Sequence, residues 1–247
     1  DTKNHVIHTR PFRAPHHTTT PTALIGGGRI PKPGETSLAH NGVLFLDELL
    51  EFNKKSLDIL RQPLEDHKVT ISRVNASVTF PAHFMLVAST NPCPCGFYPN
   101  ERKCQCSTSS IQQYLRKLSG ALLDRIDIHI ETKPIPYNNL LTPNQETSEN
   151  IKKRVCDAIH IQRNRYKTND IQYNSSLTPT LLEKYCKLGS QEKELLRKAF
   201  DALHLSARSY HRIIKVARTI ADLDKSDEIQ VPHLAEAIQY RSLDRQH

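Results

Sequence analysis

One segment limits the fold more than any other: Gly42-Val43-Leu44-Phe45-Leu46, followed at once by Asp47-Glu48. The apolar run is continuous rather than alternating, which suits a buried strand in a parallel sheet covered on both faces. A second such strand, Phe84–Ser89, leads into Thr90-Asn91. Neighbouring parallel strands need a long crossover, and the intervening segment carries helical and hairpin patterns. The sequence therefore predicts an α/β core built on a parallel sheet.

Open α/β sheets place their ligands beyond the carboxyl ends of the strands. Two adjacent carboxylates there suit a nucleotide hydrolase, with Asp47 holding Mg²⁺ and Glu48 polarising the attacking water. Two solvated acids that merely end a strand are the plainer alternative. If the two strands are neighbours, Asn91 lies beside Asp47, where a neutral amide can orient water against a γ-phosphate. Read alone, an Asn before Pro92 is ordinary turn chemistry.

Elsewhere the chain alternates between loop and periodic segments. Residues 1–41 are rich in Pro, Gly, Thr and His, with Gly26-Gly27-Gly28 and Pro31-Lys32-Pro33-Gly34 marking loops. The spacing of Leu57, Leu60 and Leu64 predicts a helix over Asn53–Asp66, and another is expected from about Ser109 to Leu123. Lys68–Phe80 reads as a hairpin turning near Asn75. Helices are expected over roughly Ser148–Tyr166, Pro179–Lys187, Gln191–Leu203, Ala207–Leu223 and Val231–Arg241, with Ser148, Thr178 and Ser190 as caps. The expected organisation is a partial α/β core over 1–133, a Pro-, Asn- and Thr-rich linker over 134–147, and a helical region over 148–247.

Hydrophobic content of 37% with 24% charged residues is that of a globular protein. No apolar run is long enough to span a membrane, and the polar first residues, Asp1-Thr2-Lys3-Asn4-His5, are no signal peptide. The missing initial Met points to a fragment. A net charge of +8 favours polyanionic partners, nucleic acid above all. Lys68 and Arg73 on the hairpin suit phosphate contact, although a solvated face is the bland reading.

Four of the six cysteines form Cys93-Pro94-Cys95 and Cys104-Gln105-Cys106. Crowded thiols suit a reducing cytoplasm and either free thiols or a tetrahedral Zn²⁺ site. Cys156 and Cys186 read as core thiols, and His16-His17 as loop packing.

Several motifs carry a family resemblance. Gly42–Glu48 resembles the Walker B motif of AAA+ proteins. Phe12-Arg13-Ala14-Pro15-His16-His17-Thr18, Ala23-Leu24-Ile25-Gly26-Gly27-Gly28 and Ser37-Leu38-Ala39-His40 resemble the stretch before it in the magnesium-chelatase-like competence family. Leu60-Arg61-Gln62-Pro63-Leu64-Glu65, Leu122-Leu123-Asp124-Arg125-Ile126-Asp127 and Leu205-Ser206-Ala207-Arg208 continue in register. The match runs in one order over nearly the whole chain.

The resemblance implies an AAA+ ATPase core with a pre-sensor hairpin and a C-terminal helical lid. It assigns Asp47 and Glu48 as the Walker B pair, Asn91 as sensor 1, Arg125 as the arginine finger and Arg208 as sensor 2. It also implies ATP and Mg²⁺ as cofactors, a homohexamer in which Arg125 acts in trans, and ATP-driven branch migration of DNA during recombination and competence.

Departures are Leu49 and Ala121 where the family has Pro, and His67 where it places Gly at a turn favouring positive φ. No G-x-x-x-x-G-K-[ST] occurs in the sequence. A P-loop segment supplied in cis or in trans is therefore expected as a partner, and this chain alone is expected to be inactive. The alternatives are the ATPase subunit of a magnesium chelatase, and a fragment that binds DNA or a partner without turning over ATP.

Overall fold

The computed structural model describes residues 9–73, 76–100, 102–132 and 146–241. It divides into two compact units, Asp1–Ile126 and Asp127–His247. Of the expected linker only residues 146 and 147 are described.

The strands described in the first unit are β1 (Phe12–Arg13), β2 (Gly26–Gly27), β3 (Lys32–Pro33), β4 (Val43–Leu46), β5 (Lys68–Arg73), β6 (Ala76–Pro81) and β7 (Met85–Ala88). They form a parallel sheet in the order β1-β4-β7 and two antiparallel ribbons, β2-β3 and β5-β6. The apolar segment ending in Asp47-Glu48 is thus the central strand, and the strand leading to Asn91 is its neighbour.

Pleating separates the two faces of this sheet. Leu44 and Leu46 are fully buried in a core with Leu24, Leu50, Leu57 and Leu60. Register sets Phe12, Val43 and Met85 side by side on the opposite face, where Phe12 is 64% and Met85 61% exposed. On the face of Leu44 and Leu46, β7 contributes the half-buried Leu86 and the exposed Ala88, so among the described residues neither face is covered along its whole width and the expectation of two covered faces is corrected. The stacking of Phe12 on Phe45, with centroids 6.1 Å apart, shelters the second face only in part.

The helix expected over 53–66 is two helices, Lys54–Ile59 and Arg61–Asp66. Pro63 has no N–H to give the Ile59 carbonyl, so the hydrogen-bond ladder breaks there. His67 ends the second helix at φ 55, the positive value foreseen for that turn. The helix expected from Ser109 to Leu123 is likewise split, into Thr108–Leu115 and Gly120–Leu123, with Ser119 at the second N-cap.

In the β5-β6 hairpin, Val69 and Ile71 are buried with Ala82 against Ile25, Phe80 and Phe84. Its outer face carries hydroxyl pairs, Thr70–Thr79 at 3.0 Å and Ser72–Ser77 at 3.2 Å. Residues 74–75, where the turn is expected, lie outside the described residues.

The second unit is helical among its described residues: Ser148–Arg165, Pro179–Tyr185, Ser190–Leu203, Ala207–Leu223 and Val231–Gln239, with a short 3₁₀ turn at Asn174–Ser176. Thr178 caps its helix as expected, but Thr147 and Gly189 occupy the N-cap positions assigned to Ser148 and Ser190. Ile213, Ile214, Ala217 and Ala221 recur at helical spacing and pack with Tyr166, Leu182, Leu196 and Leu234. Within this core the fully buried Asp222 carboxylate accepts hydrogen bonds from Arg165, Arg218 and Asn174. No described helix is long and apolar enough to cross a membrane.

Candidate functional site

The carboxyl edge of the parallel sheet gathers the acidic pair. Asp47 leaves the end of β4, and its Oδ1 accepts both the Glu48 amide at 3.0 Å and the Ser89 hydroxyl from the end of β7. Both donors converge on one oxygen of an exposed carboxylate. Among the described residues neither of these bonds uses the other oxygen, which is open to solvent on this exposed side chain. Mg²⁺ suits this donor set, because it is commonly bound through one or two carboxylates together with waters and phosphate oxygens.

Glu48 has φ 51 and ψ 49, a left-handed conformation uncommon for a residue with a side chain. Such conformations cost about 1–3 kcal/mol and concentrate at functional sites. This one turns Glu48 toward His17, whose Nδ1 lies 3.2 Å from Glu48 Oε2. His17 packs edge-on against the buried Phe52 ring and also lines an open cavity of about 490 Å³ with Thr18, Asn53, Lys54 and Lys117. Sequence reasoning gives His17 a loop-packing role and misses this contact. No local spacing could have signalled it, because the two residues meet only through the fold.

Asn91 lies beyond the end of β7, but the residue there that bonds Asp47 is Ser89, directly after the strand. A Cβ placed on Gly96 would lie 3.7 Å from Asn91 Oδ1, so the cysteine loop backs onto this amide. Tyr114 is buried on the helix Thr108–Leu115, with Glu51 and Thr90 near its phenol. Burial and the Glu51 carboxylate push its phenol up to about 12.

Arg125 is folded back within its own unit. Its Nη1 donates to the Ala121 carbonyl at 2.5 Å, and its Nε lies 3.2 Å from Glu65 Oε2. Arg208 stands exposed in the first turn of helix Ala207–Leu223. Its neighbours Arg212 and Arg218 serve the unit's own structure, through Asp127 and through Asp222 with the Ser226 and Asp227 carbonyls.

Arg73 also has structural ties, from Nε to the Gly28 carbonyl and from Nη1 to the Ser72 carbonyl, both at 3.1 Å. Lys68, at the other end of β5, is exposed.

The four clustered cysteines converge: Cys93, Cys95, Cys104 and Cys106 place their sulfurs within 4.8 Å of one another. Three separations are 3.4, 3.6 and 3.8 Å. Zn–S bonds of about 2.3 Å in a tetrahedron give an edge of about 3.8 Å, so the set has the size of a mononuclear Cys₄ site. Burial raises the Cys93 thiol, but the Tyr98 amide and the neighbouring thiols outweigh it and bring it down to about 6. The Cys95 amide favours the Cys106 thiolate, yet the Cys95 thiol, burial and the Cys93 charge push Cys106 up to about 12. Mutual repulsion keeps the four from ionising together, and a divalent cation removes that obstacle.

Residues 1–140 match the family model for magnesium chelatase, subunit ChlI, and residues 145–241 match that for the C-terminal region of the same subunit. The chain belongs to the magnesium chelatase ChlI family. Within this ChlI family it is 49% identical, over 96% of its length, to the competence protein ComM of Haemophilus influenzae. It is 45% identical over the same share to YifB of Escherichia coli. The chain spans 46% of the length of each of these relatives. Similarity to the magnesium-chelatase subunit ChlI of Bigelowiella natans is 34% over 70 residues, 28% of this chain and 19% of that protein. Membership of the ChlI family implies an AAA+-like ATPase fold working with ATP and Mg²⁺.

Proposed function

We propose that this chain is the C-terminal module of an AAA+ motor ATPase that couples ATP hydrolysis to movement along DNA, in the manner of a branch-migration helicase. The observation that carries the reading is the acidic pair at the carboxyl end of the central parallel strand. Asp47 is oriented by Ser89 and Glu48 is turned aside by its backbone. Asp47 would hold Mg²⁺, which neutralises phosphate charge, while Glu48 orients the attacking water and His17 steadies its carboxylate. Asn91 would position that water from the neighbouring strand.

Arg125 and Arg208 would add countercharge to the γ-phosphate, for which the guanidinium fork is suited. Arg125 would serve the neighbouring subunit of a homohexamer, after exchanging Glu65 for phosphate. Lys68 and Arg73 would contact the DNA backbone from the hairpin. The helical unit would act as the lid, and the four-thiol loop would take one Zn²⁺. The phosphate-cradling loop would come from a further segment, in cis or in trans.

The test is an ATPase assay of this chain alone and joined to the P-loop segment of its own locus, with branched DNA present. Turnover is expected only from the joined protein. Mg²⁺-dependent hydrolysis by the chain alone would overturn the division of labour. The family description and the likeness to ChlI of Bigelowiella natans favour a second reading, a chelatase ATPase subunit. A joined protein that ignores DNA but is stimulated by a porphyrin-inserting partner would establish it.

A further inference from the structure

The described residues between Pro92 and Cys106 form a loop without a core of its own. Among its described residues only Cys93 is buried, while Phe97 and Tyr98 are 51% and 49% exposed. Backbone bonds within it are local: Gly96 N–H to the Cys93 carbonyl, Asn100 N–H to Phe97, Cys104 N–H to Asn100. Such bonds do not offset the entropy of fixing an exposed loop, at roughly 1–2 kcal/mol per residue. Yet four sulfurs from its two ends meet at tetrahedral spacing. A cluster of several irons would hold its cysteines further apart, so the geometry favours a single ion.

The position of this loop gives the ion a use. Cys93 is two residues beyond Asn91, and Gly96, at φ 80, lies against the Asn91 side chain. At the other end, Cys106 directly precedes Ser107, which caps the helix carrying Tyr114. Closing Cys93 and Cys95 on Cys104 and Cys106 therefore joins the end of β7 to the start of that helix, with Asn91 between them.

We propose that Zn²⁺ bound by these four cysteines is a positioning clamp for Asn91, holding its carboxamide at the carboxyl edge of the sheet. The importance of that amide for hydrolysis rests on the function proposed above, whereas the clamp itself does not.

Protein purified without added metal should contain about one equivalent of Zn²⁺, as a single Cys₄ site requires. Cys104→Ser should lose the ion and Cys156→Ser, on the exposed side of another helix, should keep it. Absence of zinc from soluble, folded wild-type protein would overturn the site. The clamp is read separately, from the side-chain amide NMR signals of asparagine-labelled protein, with the Asn91 signal assigned by its loss in Asn91→Ser.

Chelation should shift or broaden the Asn91 signal and leave Asn41, at the opposite edge of the sheet, unchanged. Restoring Zn²⁺ should reverse the change. An Asn91 signal indifferent to zinc would overturn the clamp even if the metal binds. In the joined ATPase, zinc loss should lower kcat while nucleotide Kd holds, and should add nothing to Asn91→Ala. A joined protein with no ATPase activity would overturn the proposed function while the NMR result still decides the clamp.

Discussion

In the helical unit Asp222 is fully buried and its carboxylate is shared by Arg165, Arg218 and Asn174. In the sheet unit Asp47 and Glu48 are exposed, one bonded through a single oxygen and the other set in a left-handed turn beside His17. The first arrangement meets the requirement that a buried charge be paired and hydrogen-bonded. The second leaves carboxylate oxygens available and accepts backbone strain to aim one of them. Saturated charge holds a structure together, and unsaturated charge at a strand end is what the proposed Mg²⁺ and water would require. Substitutions in the two places should therefore fail differently, one in stability and the other in turnover.

The largest effect is expected at Arg125. In the joined protein Arg125→Ala should reduce hydrolysis by about 10³–10⁵-fold, the range for removal of an arginine finger. Mixing it with Glu48→Gln protein should restore some activity, because each subunit then supplies what its neighbour lacks. A defect that mixing never relieves would make Arg125 a support for Glu65 and Ala121 alone. Glu48→Gln by itself should lower kcat by about 10²–10⁴-fold, as expected for a group handling the attacking water's proton, with nucleotide binding and melting temperature retained.

Asp222→Ala should do the reverse. It strands two guanidinium groups, one of them on the 2%-exposed Arg218 side chain, and should cost about 3–5 kcal/mol of stability in chemical denaturation. Asp222→Asn, which keeps two acceptor lone pairs, should cost less. If Asp222→Ala melted like the wild type while Glu48→Gln lost stability, the contrast between the two units would collapse.

How much of this is legible in the sequence follows the same divide. The central strand, its parallel neighbour and the helical second unit are readable because apolar runs and 3.6-residue periods are local signals. Pro63 is equally local, but the regular spacing of Leu57, Leu60 and Leu64 masks its effect on the helix over 53–66. The convergence of the cysteines is visible as paired spacing. The His17–Glu48 contact, the Glu65–Arg125 pair and the Ser89–Asp47 bond join residues far apart in sequence, and each depends on the fold. Composition carries no sign that one face of the sheet stands partly open, since Phe12 and Met85 look like core residues until the register is known.

The smallest effect is expected at the hairpin, where the structure complicates a simple reading of charge. Arg73 ties the hairpin to the Gly28 carbonyl, so Arg73→Glu removes a structural bond along with a cation. Lys68 is exposed at the base of the same ribbon and offers a cleaner probe. Removing one cation from a DNA phosphate should shallow the salt dependence of binding by about one ion and weaken binding alike for all sequences. If both residues touch DNA, Lys68→Glu and Arg73→Glu should each show that unit change, and Arg73→Lys should keep the slope while loosening the hairpin. An effect of Arg73→Glu that Arg73→Lys reproduces, with Lys68→Glu silent, would assign Arg73 to the fold. The hairpin's cations would then belong with the saturated charges of the helical unit, and the DNA path would have to be sought elsewhere on the chain.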